Sequence, residues 1–544
     1  MTLGAAATSS SCLAVYDHAL AREPVNVARD ALLHALAGAP EQTWLDCGRT
    51  LVLRPDLDTA SEVFRHAAQL YPASADFCIG LAGLRWQLGM QAEAESLLRD
   101  WLSRHAADVG ASLLLARLLF DQGRVRAAAT VTRELFATGS QDIETVIRGV
   151  EMLDDFGCPR EALAICESAL ARGVGDARLH AYAGMLGIQL GRFEDVRRHY
   201  ASALDQTAEA VEWNIPIGLS GLQRYTDATH PDFAFFHALL EQPGLSNDAR
   251  TTTSFALGKA YDDIGDHARA AQCFREGNAR ARTSRPWSRK QWNRLIGARS
   301  ASTPFRWSLP APADWTPIFI VGVPRSGTTL LAELIGRHPR VRNRGELGWL
   351  QGQVKRLAST PRENREAFAQ AAATYAAHLR QDDADADWFI DKQPFNFLHV
   401  DLIMACWPNA RIIHCQRNPR DVALSLWSHS FHDSAHNYAY DFADIAAVIR
   451  GCGRLMEHWR ASYPASIFPV PYEELVENPE AWLGQVSRWI GLPDSSVAAP
   501  LGDGEHAIST ASAWQARQPI HTRSVGHWKN YATHVPELLR FPPS

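Results

Sequence analysis

The sequence predicts an α + α/β protein, in which an all-helical solenoid precedes an α/β domain with a parallel sheet. Three observations support this prediction. Glycines recur at a fixed interval in the first half, strand-like and helix-like segments alternate in the second half, and a glycine-rich loop follows the first of those strands. A chain of 544 residues is long enough for two or more domains. We expect a helical domain over residues 1–300 and an α/β domain over residues 301–544.

Glycines at a constant spacing mark the repeats of the first half. Gly89, Gly123, Gly157 and Gly191 follow one another at intervals of 34 residues, and Gly265 marks a further copy after an irregular insert. This pattern predicts pairs of helices joined by a glycine turn, with a small residue where the two helices approach most closely. The small or slim residues five positions after the glycines are Ala94, Ala128, Ala162, Val196 and Ala270.

The repeats resemble the tetratricopeptide repeat, and the resemblance covers roughly residues 45–280. It implies a concave surface that holds a protein or peptide. The same helices could instead serve only to pack on and stabilise the domain that follows. Both roles stay open from the sequence.

Strand-like and helix-like segments alternate in the second half, after a join between Ala281 and Trp315 that lacks the repeat and ends in a proline-rich linker. This alternation predicts a parallel sheet with helices on both faces, and such sheets bind ligands beyond the carboxyl ends of their strands. The strand-like runs are "TPIFIVGV", "DWFIDKQP", "ARIIHCQR" and "ASIFPV".

The loop after the first of these strands, "GVPRSGTT", contains Gly322 and Gly327. Its backbone N–H groups and the dipole of the next helix predict a cradle for a phosphate group. In nucleotide triphosphatases a lysine would follow the second glycine, but Thr328 stands there and the positive charge lies inside the loop at Arg325. Magnesium-dependent triphosphate chemistry, and with it a phosphate-loop kinase, is therefore disfavoured. The hydroxyl donors of the cradle are Ser326, Thr328 and Thr329.

Six motifs in a fixed order between Pro317 and Tyr531 resemble those of sulfotransferases that use 3'-phosphoadenosine 5'-phosphosulfate (PAPS). The set is most similar to that of protein-tyrosine sulfotransferases and of bacterial tetratricopeptide-repeat sulfotransferase-like proteins. The resemblance implies a P-loop-like α/β sulfotransferase domain with PAPS as co-substrate. The motifs are "VGVPRSGTTL", "HPRVRNRGEL", "DKQPFNF", "RIIHCQRNPRDVALSLW", "VPYEELVENP" and "STASAWQARQPIHTRSVGHWKNY".

The resemblance implies two anion sites for the co-substrate. Arg417 and Ser425 match the pair that holds the 3'-phosphate, and their separation of eight residues, about two helical turns, suits convergence on one phosphate. The resemblance also implies a late loop that closes over the adenosine and the 3'-phosphate, with Ser524 and Lys529 as its candidate contacts. The residues that match the 5'-phosphosulfate loop are Arg325, Ser326, Gly327, Thr328 and Thr329.

Three residues are expected to act in catalysis. Glu346 matches the glutamate that the tyrosine-sulfating relatives use as general base, and Lys392 matches a lysine near the bridging oxygen of the phosphosulfate. Arg325 is the other cation available to the leaving phosphate. No histidine base of the cytosolic small-molecule sulfotransferases is evident in an equivalent motif, although His399 and His414 stay open for that role.

The predicted function is transfer of a sulfuryl group from PAPS to an acceptor hydroxyl. The repeats favour a hydroxyl on a protein or peptide, such as that of tyrosine, while small-molecule, lipid and glycan acceptors stay open. The alternative is an interaction scaffold whose C-terminal domain binds the nucleotide without turnover. A domain without activity has no physical reason to retain the five residues Arg325, Glu346, Lys392, Arg417 and Ser425.

The composition indicates which binding partners and which cellular compartment to expect. A formal net charge of −6 gives no bulk attraction to nucleic acid or anionic lipid. Nine cysteines, without a CxxC pair or a metal-type cluster, are typical of a reducing compartment. No apolar run reaches the roughly 18 residues of a membrane span, and no signal peptide is evident. We expect a cytoplasmic protein that needs no metal; the oligomeric state does not follow from the sequence.

Overall fold

The computed structural model describes residues 8–137, 142–381, 385–431, 433–493 and 520–543. The chain forms two compact units, residues 1–156 and residues 157–544. The domain boundary near residue 300 stays a prediction from the sequence pattern.

Paired helices build the first unit. Gly89 and Gly123 close two of its turns with φ of 81° and 78°, in the left-handed region that favours glycine. Ala94 and Ala128 are fully buried, as expected for positions where paired helices meet. The helices of this unit are α1 (Ser9–Leu20), α2 (Val25–Leu36), α3 (Glu41–Leu53), α4 (Leu57–Leu70), α5 (Ala75–Gln87), α6 (Gln91–Leu102), α7 (Val109–Asp121), α8 (Val125–Ala137) and α9 (Ile143–Asp155).

The second unit begins with helices of the same type. Gly191 and Gly265 again have a positive φ, 77° and 82°, and Val196 and Ala270 are fully buried. The irregular insert forms a 3-10 helix, Ala208–Trp213, followed by a short α-helix. The α-helices here are α10 (Pro159–Ala171), α11 (Ala177–Leu190), α12 (Phe193–Gln206), α13 (Ile215–Ser220), α14 (Pro231–Glu241), α15 (Asn247–Asp263), α16 (His267–Ser284) and α17 (Arg289–Ser300).

The described residues of the second unit contain a five-stranded parallel sheet, which confirms the predicted parallel sheet. The strands are β1 (Thr316–Gly322), β2 (Val341–Asn343), β3 (Trp388–Asp391), β4 (Arg411–Gln416) and β5 (Ile467–Pro471). Their order in the sheet is β2-β3-β1-β4-β5, so that β1 lies in the middle. The helices around them are α18 (Thr328–Gly336), α19 (Trp349–Leu357), α20 (Arg365–Arg380), α21 (Val400–Cys406), α22 (Pro419–Trp427), α23 (Phe442–Ser462), α24 (Tyr472–Glu477) and α25 (Pro479–Ile490).

Alternate side chains of β1 enter two different apolar layers. Ile318 and Ile320 pack in a core that contains residues of α18 and α25, whereas Phe319 and Val321 belong to a core with residues of α20 to α23. Successive side chains of a strand point to opposite faces of the sheet, so a strand covered on both faces is apolar along its whole length. This explains why "IFIV" carries no alternation of apolar and polar residues.

The last helices before the linker pack against the α/β layer. Asn278 of α16 donates from Nδ2 to the carbonyl oxygen of Trp427 over 2.8 Å. Trp292 of α17 donates from Nε1 to the carbonyl oxygen of Ala447 over 3.1 Å. Helix α17 lies inside the stretch that the sequence marks only as a join between domains. Residues 301–315 form neither helix nor strand.

Candidate functional site

The predicted site residues follow the carboxyl ends of neighbouring parallel strands. The loop predicted to bind phosphate, residues 322–329 and called the phosphate loop below, follows β1. Lys392 comes directly after β3, and Arg417 comes directly after β4. Glu346 follows β2 by three residues. Because the carboxyl ends of parallel strands meet at one edge of a sheet, the fold brings all of these segments to the same edge.

The backbone of the phosphate loop takes its course only because two positions are glycine, where a Cβ atom would collide with neighbouring residues. Gly322 has φ of 152°, and a Cβ atom there would lie 2.6 Å from the carbonyl oxygen of Cys415 on β4. Gly327 has φ of 96°, and its Cβ would lie 2.4 Å from the ring of Tyr472. Arg325 takes a left-handed conformation too, with φ of 74°, although it is not glycine. Such backbone strain is typical of functional loops.

Arg417 connects the phosphate loop with Ser524, which lies near the end of the chain. Its Nη1 donates to the carbonyl oxygen of Arg325 over 2.8 Å, and its Nη2 donates to the carbonyl oxygen of Ser524 over 2.7 Å. The guanidinium lies 4.5 Å from the centre of the Tyr472 ring. Arg417 is therefore fixed in direction by two backbone carbonyls and one aromatic face.

The side chain of Arg325 reaches the helix that carries the second predicted anion site. Its Nε donates to Ser425 Oγ over 3.0 Å, and its Nη2 lies 3.1 Å from His429 Nε2. Burial, together with the nearby positive charge of Arg417, lowers the pKa of Arg325 to about 10, which still leaves it charged at neutral pH. The two predicted anion sites are thus in direct contact through Arg325 and Ser425.

Glu346 and Lys392 form an ion pair. Lys392 Nζ donates to Glu346 Oε1; the lysine side chain is 2% exposed and the glutamate side chain 30%. The backbone N–H of Lys392 donates to the carbonyl oxygen of Gly345 over 2.8 Å, which continues the pairing of β2 with β3 beyond the strand ends. The pairing of the two strands therefore positions this ion pair, and the carboxylate of Glu346 is partly exposed to solvent.

The buried carboxylate of Asp391, the residue before Lys392, forms hydrogen bonds next to this ion pair. Tyr375 donates its hydroxyl to Asp391 Oδ2, Asn396 donates to the same oxygen over 2.7 Å, and the N–H of Leu347 lies 3.4 Å from Oδ1. Burial raises the pKa of Asp391 to about 7, while these hydrogen bonds act in the opposite direction. Asp391 therefore anchors the loop that carries Glu346.

A cavity of about 520 Å³ opens beside the phosphate loop. Of the described residues around it, Ser326, Glu346 and Lys392 do not line the cavity, and Lys529 is exposed outside it. Glu346 is nevertheless close enough to Arg325 for its charge to raise the pKa of that guanidinium, against the larger lowering by burial and Arg417. The predicted residues that line the cavity are Arg325, Gly327, Thr328, Thr329, Arg417, Ser425 and Ser524.

Several residues of the cavity wall were not predicted from the sequence. His429 lies beside Arg325, and burial together with the charge of Arg325 lowers the pKa of the imidazole to about 3, so that it is neutral. Asp262, His527 and Tyr531 also line the cavity. His429 lies two residues beyond the end of α22, and no local pattern in the sequence indicates that it reaches Arg325.

The two histidines that stayed open as bases both have a lowered pKa. Burial lowers the pKa of His399 to about 3 and that of His414 to about 4. Neither of them lines the cavity, as far as the described residues define it. The first eleven residues of the last motif, 509–519, lie outside the described residues.

Residues 317–496 match the family model described as the sulfotransferase family. The match confirms, for this part of the chain, the resemblance that the motifs carry. An uncharacterized protein of Aquifex aeolicus (strain VF5) is 24% identical over 92% of this chain and 69% of its own length. Protein-tyrosine sulfotransferase 1 of Danio rerio is 25% identical over 43% of this chain and 70% of its own length.

Among solved structures, the chain is similar to the sulfotransferase domain from the Synechococcus PCC 7002 olefin synthase. That similarity has a TM-score of 0.32 and 19% identity, and it covers 44% of this chain and all of the other. All nine cysteines of this chain have free thiols. Within the described ranges, every helix is too short or too polar to cross a membrane.

Proposed function

We propose that this protein transfers a sulfuryl group from PAPS to an acceptor hydroxyl. The observation that carries the proposal is the cavity in which the phosphate loop meets Arg417 and Ser425, beside the Glu346–Lys392 pair. One nucleotide with phosphate groups at two positions requires two anion sites at a fixed separation. A glycine-rich loop at a helix N-terminus and an arginine–serine pair supply them.

A buried polar atom of these anion sites supports an anionic ligand. Arg417 lines the cavity, and its Nε has no hydrogen-bond partner among the described residues. Leaving a buried donor without a partner costs about 1 to 3 kcal/mol, more for a charged group, so native proteins seldom do so without a reason. A phosphate oxygen would accept from this group, and the site therefore fits the proposed co-substrate.

The roles of the side chains follow from charge and proton balance. The acceptor oxygen forms a bond to sulfur while the bond from sulfur to the bridging phosphate oxygen breaks, and adenosine 3',5'-bisphosphate leaves. Glu346 takes the proton of the acceptor hydroxyl. Lys392 and Arg325 neutralise the charge that develops on the bridging oxygen. In this proposal those two cations take the place of a divalent metal.

We propose a protein or peptide as the acceptor, with tyrosine as the reacting residue. Relatives named as protein-tyrosine sulfotransferases support the tyrosine, and the repeats support a polypeptide. The carboxylate of Glu346 is partly exposed, as a base must be to reach a side chain presented by another molecule. The free thiols support a reducing compartment, and we propose the cytoplasm.

The test is transfer of labelled sulfate. The full chain is incubated with PAPS labelled in its sulfuryl group and with fractionated cell extract, and the labelled species is identified. We expect a labelled polypeptide that releases sulfotyrosine on hydrolysis, and no label with Glu346→Gln. Equal binding of PAPS and adenosine 3',5'-bisphosphate, without label in any fraction, would indicate the scaffold instead. Label on a glycan, lipid or metabolite would retain the reaction and reject the polypeptide acceptor.

A further inference from the structure

Part of the cavity wall comes from the helical repeats and not from the α/β layer. Asp262 and Asp263 at the end of α15, together with Gly265 and His267 in the turn and at the start of α16, face the same space as the phosphate loop. Arg417 and Ser425 of the second anion site line the same cavity. The last repeat therefore lies beside the proposed co-substrate site.

Asp262 binds a segment near the end of the chain, residues 520–531, which we name the C-terminal segment. His527 Nε2 lies 3.0 Å from Asp262 Oδ1, and the Tyr531 hydroxyl donates to the same oxygen over 2.5 Å. His267 Nδ1 lies 3.4 Å from this oxygen as well. Although burial opposes both shifts, these contacts lower the pKa of Asp262, and the contact with Asp262 raises the pKa of His527. A charged carboxylate thus holds the segment.

A second carboxylate holds the C-terminal segment from the other side. Asp421, in the first turn of α22, accepts from the N–H of Gly526 over 2.7 Å and from the N–H of Trp528 over 2.9 Å. Ser524 lies two residues before Gly526, and its carbonyl oxygen accepts from Arg417. The direction of the Arg417 guanidinium therefore depends on where Asp262 and Asp421 hold this segment.

The cavity has room for the adenosine of the proposed co-substrate. If the phosphate loop and the Arg417–Ser425 pair bind its two phosphate groups, the nucleoside that carries them would use other parts of the same cavity, which the turn from α15 to α16 also lines. A cavity of about 520 Å³ is in the range of small-molecule sites in proteins.

We propose that the last repeat is part of the co-substrate site, with Asp262 as a positioning residue that holds the C-terminal segment so that Arg417 recognises the 3'-phosphate. The inference rests on the proposed function. It assigns to the repeats a role in nucleotide recognition, in addition to any role in binding the acceptor.

The experiment compares two nucleotides that differ only in the 3'-phosphate. Adenosine 3',5'-bisphosphate and adenosine 5'-phosphate are titrated calorimetrically into the full-length wild type, Asp262→Ala, Arg417→Ala and Asp205→Ala. Asp205 is an exposed aspartate of α12 and serves as the matched control. The quantity of interest is the ratio of the two dissociation constants, because general damage to the fold would weaken both nucleotides alike.

We expect the wild type to prefer the bisphosphate by at least tenfold and Arg417→Ala to lose that preference. Asp262→Ala should reduce the preference at least fivefold, while Asp205→Ala leaves it unchanged. If Asp262→Ala keeps the wild-type ratio while Arg417→Ala loses it, the inference is wrong and the proposed function stands. If the wild type binds neither nucleotide, the proposed function itself fails.

A milder change keeps the test valid if Asp262→Ala does not fold. Tyr531→Phe removes one hydroxyl that donates to Asp262 and leaves the ring in place. We expect it to reduce the preference for the bisphosphate in the same direction by a smaller factor. A ratio equal to that of the wild type in this folded variant would overturn the proposal.

Discussion

Arg417 is the single side chain on which nucleotide binding should depend most. It contacts the phosphate loop, the C-terminal segment and Tyr472, and it stands at the end of β4. We expect Arg417→Ala to weaken binding of adenosine 3',5'-bisphosphate by about 1.5 to 3 kcal/mol, the scale of a charge-assisted hydrogen bond, or about 10- to 150-fold in Kd. Calorimetry measures this directly.

The matched control for that substitution is Arg488→Ala. Arg488 is exposed on α25 and donates to the carbonyl oxygen of Gly484 in its own helix. We expect the control to bind nucleotide as the wild type does. Unchanged affinity in Arg417→Ala would remove that residue from the 3'-phosphate site.

Glu346 should affect turnover without affecting nucleotide affinity. We expect Glu346→Gln to reduce kcat by about 100-fold or more, because loss of a general base costs about two to four orders of magnitude. The Kd for adenosine 3',5'-bisphosphate should stay unchanged. The measurement is single-turnover transfer beside a binding titration, with the exposed Glu480→Gln as control. A fully active Glu346→Gln enzyme would rule out Glu346 as the base.

The sequence could indicate those residues that directly follow a strand or lie within a loop with a recognisable pattern. Arg417 and Lys392 are of this kind. Asp262 and its partner His527 are 265 residues apart, and no local pattern relates them. Contacts of that kind depend on how distant segments pack, which a single sequence does not reveal. The ion pair of Glu346 with Lys392 was missed for the same reason, although both residues had been singled out.

At the scale of the secondary-structure elements, the turn glycines allow a prediction of how much stability a single substitution removes. Gly89 has φ of 81°, and a Cβ atom there would meet nothing within 4 Å. We expect Gly89→Ala to lower the local stability of α5 and α6 by about 1 to 2 kcal/mol, from the backbone conformation alone. Native-state hydrogen exchange of the amides in these helices measures the effect.

Gly48 offers the contrasting case within the same unit. Its Cβ would lie 2.3 Å from the ring of Phe64, which is buried. Gly48→Ala should therefore act through overpacking and cost about 1 to 3 kcal/mol, measured by exchange in α3 and α4. A stable Gly48→Ala variant would mean that Phe64 has room to move. Equal losses at Gly89 and at a glycine with negative φ whose Cβ would also meet nothing within 4 Å would contradict the backbone explanation.

The elements that the sequence indicated are those with a strong pattern. Four strands and the glycine-turn helices follow from apolar runs and from the interval of 34 residues. Strand β2 has three residues, too few for any periodicity. Helices α1 and α2 are joined through Pro24 without a turn glycine, so the repeat pattern begins only after them. Helix α17 was missed because its pattern differs from that of the repeats.

For the whole molecule, the buried histidines predict a dependence of stability on pH. Burial lowers the pKa of His414 to about 4 in the folded state, against an ordinary value near 6.5 in the unfolded state. The unfolded chain therefore binds a proton that the folded chain rejects, and stability falls as pH drops below about 6.5. Between pH 7 and pH 5 this single group should remove about 2 kcal/mol.

The comparison of the wild type with His414→Gln isolates that contribution. Denaturant unfolding at pH 7 and pH 5 should show a smaller loss for the variant, by about 2 kcal/mol. An identical loss in both proteins would show that His414 does not stay neutral. Asp391 has the opposite sign: its raised pKa makes its contribution decline as pH rises toward about 7, in both proteins alike.

The contacts of α16 and α17 have a consequence for how such a protein could arise and be divided. Asn278 and Trp292 each donate a side-chain hydrogen bond to a backbone carbonyl of the α/β layer. A protein that began at the linker would lack the donors for those carbonyls, and the apolar surface that these helices cover would be exposed. Recombination at that point would produce an unstable α/β domain. We therefore expect α16 and α17 to be inherited together with the sheet.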